Sequence, residues 1–214
     1  MQLNNIKLVI FDLDGTLLDA YQPIIRSFNF TMRSVGARQR SARTIRRAVG
    51  WGDENLLRPF VKTEDLPQAL FTYRKHHAKA LMKGAHLFPR AGLLLAQLKK
   101  KGYTLAVASN RPTRFSRILI RRLGIKKYFD FVLCADKLRQ GKPHPEIIIS
   151  LMRKASCNQT QTLYVGDMVI DAQAGRRAGV RVIAVATGSS TRQELKKEKP
   201  FLIVRKIADL LKIL

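Results

Sequence analysis

Short apolar runs, each closing on polar residues, recur along this chain. The first, Leu8–Phe11 in KLVIFDLDGT, is continuously apolar, as a parallel strand covered on both faces would be. Residues 103–110, 129–136, 162–167 and 180–187 repeat the layout. Between them lie patterns of helical period that stop at a glycine: residues 90–101 before Gly102, 113–123 before Gly124, and 168–178 before Gly179. The alternation predicts an α/β fold, a doubly wound, mainly parallel Rossmann-like sheet with helices on both faces. Such sheets bind ligands beyond the carboxyl ends of their strands, so the polar strand ends are where chemistry is expected.

One region breaks the alternation. Residues 21–88 carry amphipathic helical patterns such as IIRSFNFTMRSV and LPQALFTYRKHHAKALM, and no convincing strand. The expected organisation is a catalytic core of residues 1–20 and 89–214, with residues 21–88 inserted as a helical cap above the sheet's carboxyl edge. No internal repeat or low-complexity segment interrupts it.

Length agrees with this picture: 214 residues exceed the common size of one domain but are short for two independent ones. An apolar fraction of 46% is enough to build a packed core. No stretch reaches the roughly 18 consecutive apolar residues of a membrane-spanning helix. The opening MQLNNIKLVIFDLDGT lacks a small-residue cleavage site, so the expectation is a cytoplasmic protein without a secretory leader. Cys134 and Cys157 have no C-x-x-C spacing and read as reduced structural thiols. The anomaly is charge: 40 Lys and Arg against 15 Asp and Glu give +25, which attracts anions. The excess is spread over the chain rather than gathered in a nucleic-acid footprint. Its densest stretch, residues 111–127, can align Arg114, Arg117 and Arg121 on one solvated helix face.

Four clusters carry chemistry. Asp12 and Asp14 stand one residue apart just past the first strand, where Gly15 lets the backbone turn sharply. One carboxylate there can attack phosphorus while the other protonates the leaving oxygen and later activates water. A D-x-D-G turn or a calcium-loop fragment is the bland alternative. The loop reading fails because no Glu stands where the twelve-residue loop needs its bidentate ligand. Ser109 and Asn110, ending the second strand pattern beside a helix start, form either a helix cap or a phosphate cradle, with Arg111 adding positive charge. In QGKPHPEI, Pro143 and Pro145 stiffen the loop that holds Lys142, whose ammonium can neutralise phosphate and keep Asp12 ionised. In GDMVID, Asp167 ends a strand and Asp171 follows in the first helical turn. Asp171 complements the helix dipole or joins Asp167 as a hard oxygen ligand for magnesium.

Together these clusters resemble the haloacid dehalogenase superfamily of phosphatases, whose motifs are hhhhDxDGT, hhhS/T, a Lys and GDxxxD. The matches FDLDGTLLD, AVASN, GKPHPE and GDMVIDAQAGRRAGV occur in that order and, with the strand and helix alternation, span essentially the whole chain. The resemblance implies Asp12 as nucleophile, Asp14 as general acid and base, and Ser109 with Lys142, beside Asn110, as phosphate binders. It implies Mg2+ held by Asp12, the backbone carbonyl of Asp14, Asp167 and, secondarily, Asp171. An Asp at position 14 argues against carbon-halogen cleavage, since dehalogenases of the superfamily lack it. The finer likeness is to phosphoglycolate phosphatases, with β-phosphoglucomutase and pyrophosphatase relatives close behind.

The function expected is therefore a phosphomonoester phosphatase acting on a small phosphorylated metabolite, as a monomer or homodimer. A β-phosphoglucomutase-like phosphoryl transferase is the neighbouring alternative, and a basic nucleic-acid-binding protein on the same fold is the alternative from another class. By the same resemblance, the turn AVGWGDENL between cap helices points at the leaving group. Trp51 there reads equally as a substrate platform or an anchor of the cap's own core. Arg46 and Arg47 read as a basic helix surface, with reach toward a second anionic group as the other option. His76, His77 and His144 show no metal-ligand or catalytic spacing.

Overall fold

The computed structural model describes Leu3 and residues 5–214. Met1, Gln2 and Asn4, part of the expected 1–20 core segment and of the stretch read for a leader, lie outside the described residues. In chain order the elements are β1 (Leu8–Phe11), β2 (Leu18–Asp19), α1 (Tyr21–Ser34), α2 (Ala42–Ala48), α3 (Asp53–Leu57), α4 (Leu66–Gly84) and β3 (His86–Leu87). Then follow α5 (Ala91–Lys100), β4 (Thr104–Ser109), α6 (Thr113–Arg122), β5 (Phe131–Cys134), α7 (Glu146–Lys154), β6 (Thr162–Gly166), α8 (Val169–Arg177), β7 (Arg181–Val185), α9 (Arg192–Lys197) and β8 (Leu202–Val204).

Six strands form one parallel sheet in the order β5-β4-β1-β6-β7-β8, with β1 at its centre between β4 and β6. Burial of β1 on both faces explains its unbroken apolar sequence. Val9 and Phe11 enter one core layer with Leu94, Leu95 and Phe115, while Leu8 and Ile10 enter the opposite layer with Ile147, Ile148 and Ala172. The all-parallel order brings the carboxyl ends of β1, β4 and β6 to one edge, and the residues that follow each strand meet there.

The five expected strands are present, Leu8–Phe11 with the expected bounds and the other four trimmed by a residue or more at their ends. Two features carried no readable pattern. Strand β8 adds a sixth strand, and β2 pairs antiparallel with β3, Leu18 opposite Leu87 and Asp19 opposite His86. This two-residue ribbon lies at both ends of the helical segment and is too short for periodicity to reveal. Between its strands, α1 to α4 bury their own cluster of Ile24, Phe28, Met32, Ile45, Leu57, Ala69 and Tyr73. Buried positions Ile24, Phe28, Thr31 and Met32 of α1 recur at helical spacing. Phe28 meets Phe60 edge-on at 5.2 Å between centroids. Among the described residues no helix is long and apolar enough to cross a membrane.

Candidate active site

Asp12 follows β1 directly, its backbone N–H extending the ladder to the Val165 carbonyl at 2.9 Å. Its carboxylate is buried, and Oδ1 lies 2.8 Å from Lys142 Nζ. The same ammonium meets Asp171 Oδ1 at 2.7 Å and donates toward the Tyr164 hydroxyl and the Ala108 carbonyl. Burial by itself would lower the Lys142 pKa, but the two carboxylates outweigh it and hold the group charged. Asp171 is saturated. Its Oδ1 also accepts from the Tyr164 hydroxyl at 2.7 Å, and Oδ2 accepts the backbone N–H groups of Asp167 and Met168 across the start of α8.

Asp167, fully buried at the end of β6, accepts the Thr16 hydroxyl at Oδ1 (2.8 Å), whereas its Oδ2 is buried with no hydrogen-bond partner. Oxygens of Asp12, Asp167 and Asp171 come within 4.8 Å of one another. Burial, opposed in part by Lys142, pushes Asp12 from its ordinary 3.8 up to about 7. Burial, with the Asp171 and Asp12 charges, pushes Asp167 well above the usual carboxylate range. Three carboxylates thus face one ammonium, and the cluster is short of positive charge. Space around the orphan oxygen is kept by Gly188, where a Cβ would stand 1.5 Å from Asp167 Oδ2. These donors are hard oxygens and fit a small divalent cation such as magnesium.

The structure brings Asp12, Lys142, Asp167 and Asp171 together, and Ser109, Asn110 and Asp14 line the same pocket as Asp12. Asp14 and Asn110 are turned to partners that local sequence does not suggest. The Asp14 carboxylate is clasped by Arg111, Nε to Oδ2 and Nη2 to Oδ1, both at 2.7 Å. The Ser109 hydroxyl accepts the Arg111 backbone N–H at 3.2 Å. Asn110 acts as a staple: its Nδ2 donates to the carbonyls of Gly50 and Lys142, and its Oδ1 accepts the Lys142 N–H. One amide therefore ties the end of β4 to the Lys142 loop and to the turn between α2 and α3.

The helical segment supplies the pocket's opposite wall, with Ile24, Val49, Leu56, Tyr73 and His77. Trp51 does not line that wall, and at 46% exposed it does not anchor the core of the helical segment. Its glycine neighbours line the pocket instead. Gly50, at φ +115°, approaches Met168 so closely that a Cβ would lie 2.4 Å from its sulfur. Arg46 and Arg47 do not line the pocket. Arg46 donates to the carbonyls of Thr187 and Gly188, and Arg47 to the Ser189 carbonyl and to Glu194. His77, without a signal in its spacing, is buried with Nε2 2.7 Å from Arg111 Nη1. Only its place on the buried face of α4 marked it out.

A sequence model of the family described as haloacid dehalogenase-like hydrolase matches residues 9–185. A probable phosphatase, IndB, of Dickeya dadantii is 34% identical, covering 92% of this chain and 88% of that protein. A phosphoglycolate phosphatase of Aquifex aeolicus is 26% identical over 97% of this chain and 96% of its own. Among solved structures, a predicted phosphoglycolate phosphatase of Haemophilus somnus superposes with a TM-score of 0.92, at 28% identity and 98% coverage of both chains.

Proposed function

Because the chain belongs to the haloacid dehalogenase-like hydrolase family, we propose that it is a magnesium-dependent phosphomonoester phosphatase whose Asp12 carries the phosphoryl group as a transient aspartyl-phosphate. Its substrate is a small anionic phosphorylated metabolite of the phosphoglycolate kind, the activity named for several relatives. The observation that carries the reading is the charge-deficient cluster, in which Asp12 and Asp171 share Lys142 while the neighbouring Asp167 keeps Oδ2 without a partner.

In this reading Asp12, Asp167 and the Asp14 backbone carbonyl hold the cation, with Asp171 behind them. Magnesium held there would neutralise the carboxylates and the charge that develops on a phosphate oxygen. Lys142 fixes Asp12 through Oδ1, leaving the other oxygen to attack phosphorus, while Ser109 and Lys142 take the remaining phosphate oxygens. The bond from phosphorus to the alcohol oxygen breaks, and Asp14 gives that oxygen a proton. Asp14 then accepts a proton from water as the water attacks phosphorus, which frees phosphate and restores Asp12. Asp171 serves mainly by orienting Lys142 and the turn after β6.

Residues 21–88 are assigned as a cap over a core of residues 1–20 and 89–214, working in the cytoplasm as a monomer or homodimer. Phosphate release from a panel of small phosphorylated acids, with magnesium and with chelator, tests the reading. Release is expected with magnesium only, and Asp12→Asn should lower it on the order of 10⁴-fold. Turnover by Asp12→Asn close to that of the parent would end the assignment of the nucleophile.

A further inference from the structure

Arg111 is a buried cation with three engagements. Two nitrogens clasp both oxygens of Asp14, and the third, Nη1, points at His77 Nε2. A guanidinium only donates, so Nε2 is the accepting nitrogen and the ring proton sits on Nδ1, which faces the Ser27 hydroxyl at 3.2 Å. Ser27 in turn donates to the Pro23 carbonyl at 2.8 Å. Tyr73 stacks on the His77 ring at 4.9 Å and Phe115 meets it edge-on at 5.1 Å, so the imidazole cannot turn away. The guanidinium is thus aimed from the helical wall and held over the pocket that Asp12 also lines.

The clasp conflicts with the role given to Asp14. A carboxylate whose two oxygens both accept from one guanidinium has no proton to offer a leaving oxygen. For Asp14 to act, something else has to take Arg111, and leaving a buried guanidinium unpaired is costly. The present occupant indicates what fits: a planar carboxylate received in fork geometry.

The geometry points to Arg111 as the specificity-determining residue: it binds a carboxylate borne by the leaving alcohol of the substrate and, by exchanging Asp14 for it, frees Asp14 to reach the leaving oxygen. The inference rests on the phosphatase reading. It makes the enzyme selective for phosphate esters of hydroxy acids, because an ester without the second anion leaves the clasp shut. The cavity is small, about 60 Å³, which favours a short acid over a sugar phosphate. His77 is a positioning residue that keeps the fork facing the pocket.

The test compares kcat and KM for 2-phosphoglycolate with those for ethyl phosphate, which has the same two carbons and no carboxylate. The parent protein should favour the acid by roughly 100-fold in kcat/KM, with much of the difference in kcat, since the carboxylate also releases Asp14. Arg111→Met should shrink that preference to within a few-fold, and Arg111→Lys, a point charge without a fork, should fall between. Equal use of the two esters by the parent overturns the inference, as does an Arg111→Met protein that keeps the preference. If neither variant folds, the parent's own preference decides. Absence of magnesium-dependent phosphate release from either ester is a different failure, that of the phosphatase reading itself.

Discussion

The two walls of the pocket are built from different material. The sheet edge presents Asp12 and Lys142 to the pocket, and Asp167 and Asp171 lie buried beside them, Asp171 bonded to Lys142, Tyr164 and backbone N–H groups. The helical wall presents Ile24, Val49, Leu56, Tyr73 and a neutral His77, and meets the sheet side through Arg46, Arg47 and Asn110. Buried charges require one another, so a change to one member of the sheet edge is felt by all. Apolar contacts and exposed clasps can be exchanged one at a time at small cost. The chemistry is therefore placed where it cannot drift, and the helical wall acts on it through His77, which meets Arg111.

The contrast is tested hardest at Lys142. Lys142→Met leaves Asp12 and Asp171 buried without their cation and should cost about 3–5 kcal/mol in urea denaturation, along with all turnover. A loss under about 1 kcal/mol would mean that the sheet edge is not the mutually dependent network described. Next in size is Gly188→Ala, whose methyl would overlap Asp167 Oδ2. A cost of about 1–3 kcal/mol is expected, and the melting temperature should no longer rise when magnesium is added. Retention of a magnesium-induced rise would separate Asp167 from the cation site.

On the helical wall the expected effects are smaller. Burial and the Arg111 charge hold His77 well below its ordinary 6.5. The unfolded chain therefore takes up that proton first, so the stability His77 contributes is present above 6.5 and lost as pH falls below it. Melting temperature against pH should drop less steeply in acid for His77→Phe than for the parent, and parallel curves would contradict a neutral His77. Smallest is Arg47→Ala. Its ion pair with Glu194 lies at the surface, where such pairs contribute little. Removing it should leave the melt unchanged and raise KM no more than a few-fold, whereas loss of folding would make the clasp part of the core.

Asp12 and Asp167 were legible in the chain because each follows an apolar run and a parallel sheet gathers such ends at one edge, and Lys142 because Pro143 and Pro145 mark a stiffened loop around it. The helical segment was legible because its apolar stripe repeats at the helical period, as Ile24, Phe28 and Met32 do. Hidden were the partners: Arg111 on Asp14 and His77, Asn110 on Gly50, and Arg46 and Arg47 on the loop after β7. Trp51 shows the same limit from the other side, since glycines on both sides mark a turn but not the direction in which it faces.

The sequence by itself determined the sheet, the helical segment and the acidic edge, since periodicity and strand-end polarity are local properties of the chain. Only the tertiary structure decided that Asp14 rests in a guanidinium fork and that Asp171 accepts from Lys142. Those contacts join residues 97 and 29 positions apart. Such pairings depend on how helices and loops pack across the sheet edge, and packing at that range leaves no local mark.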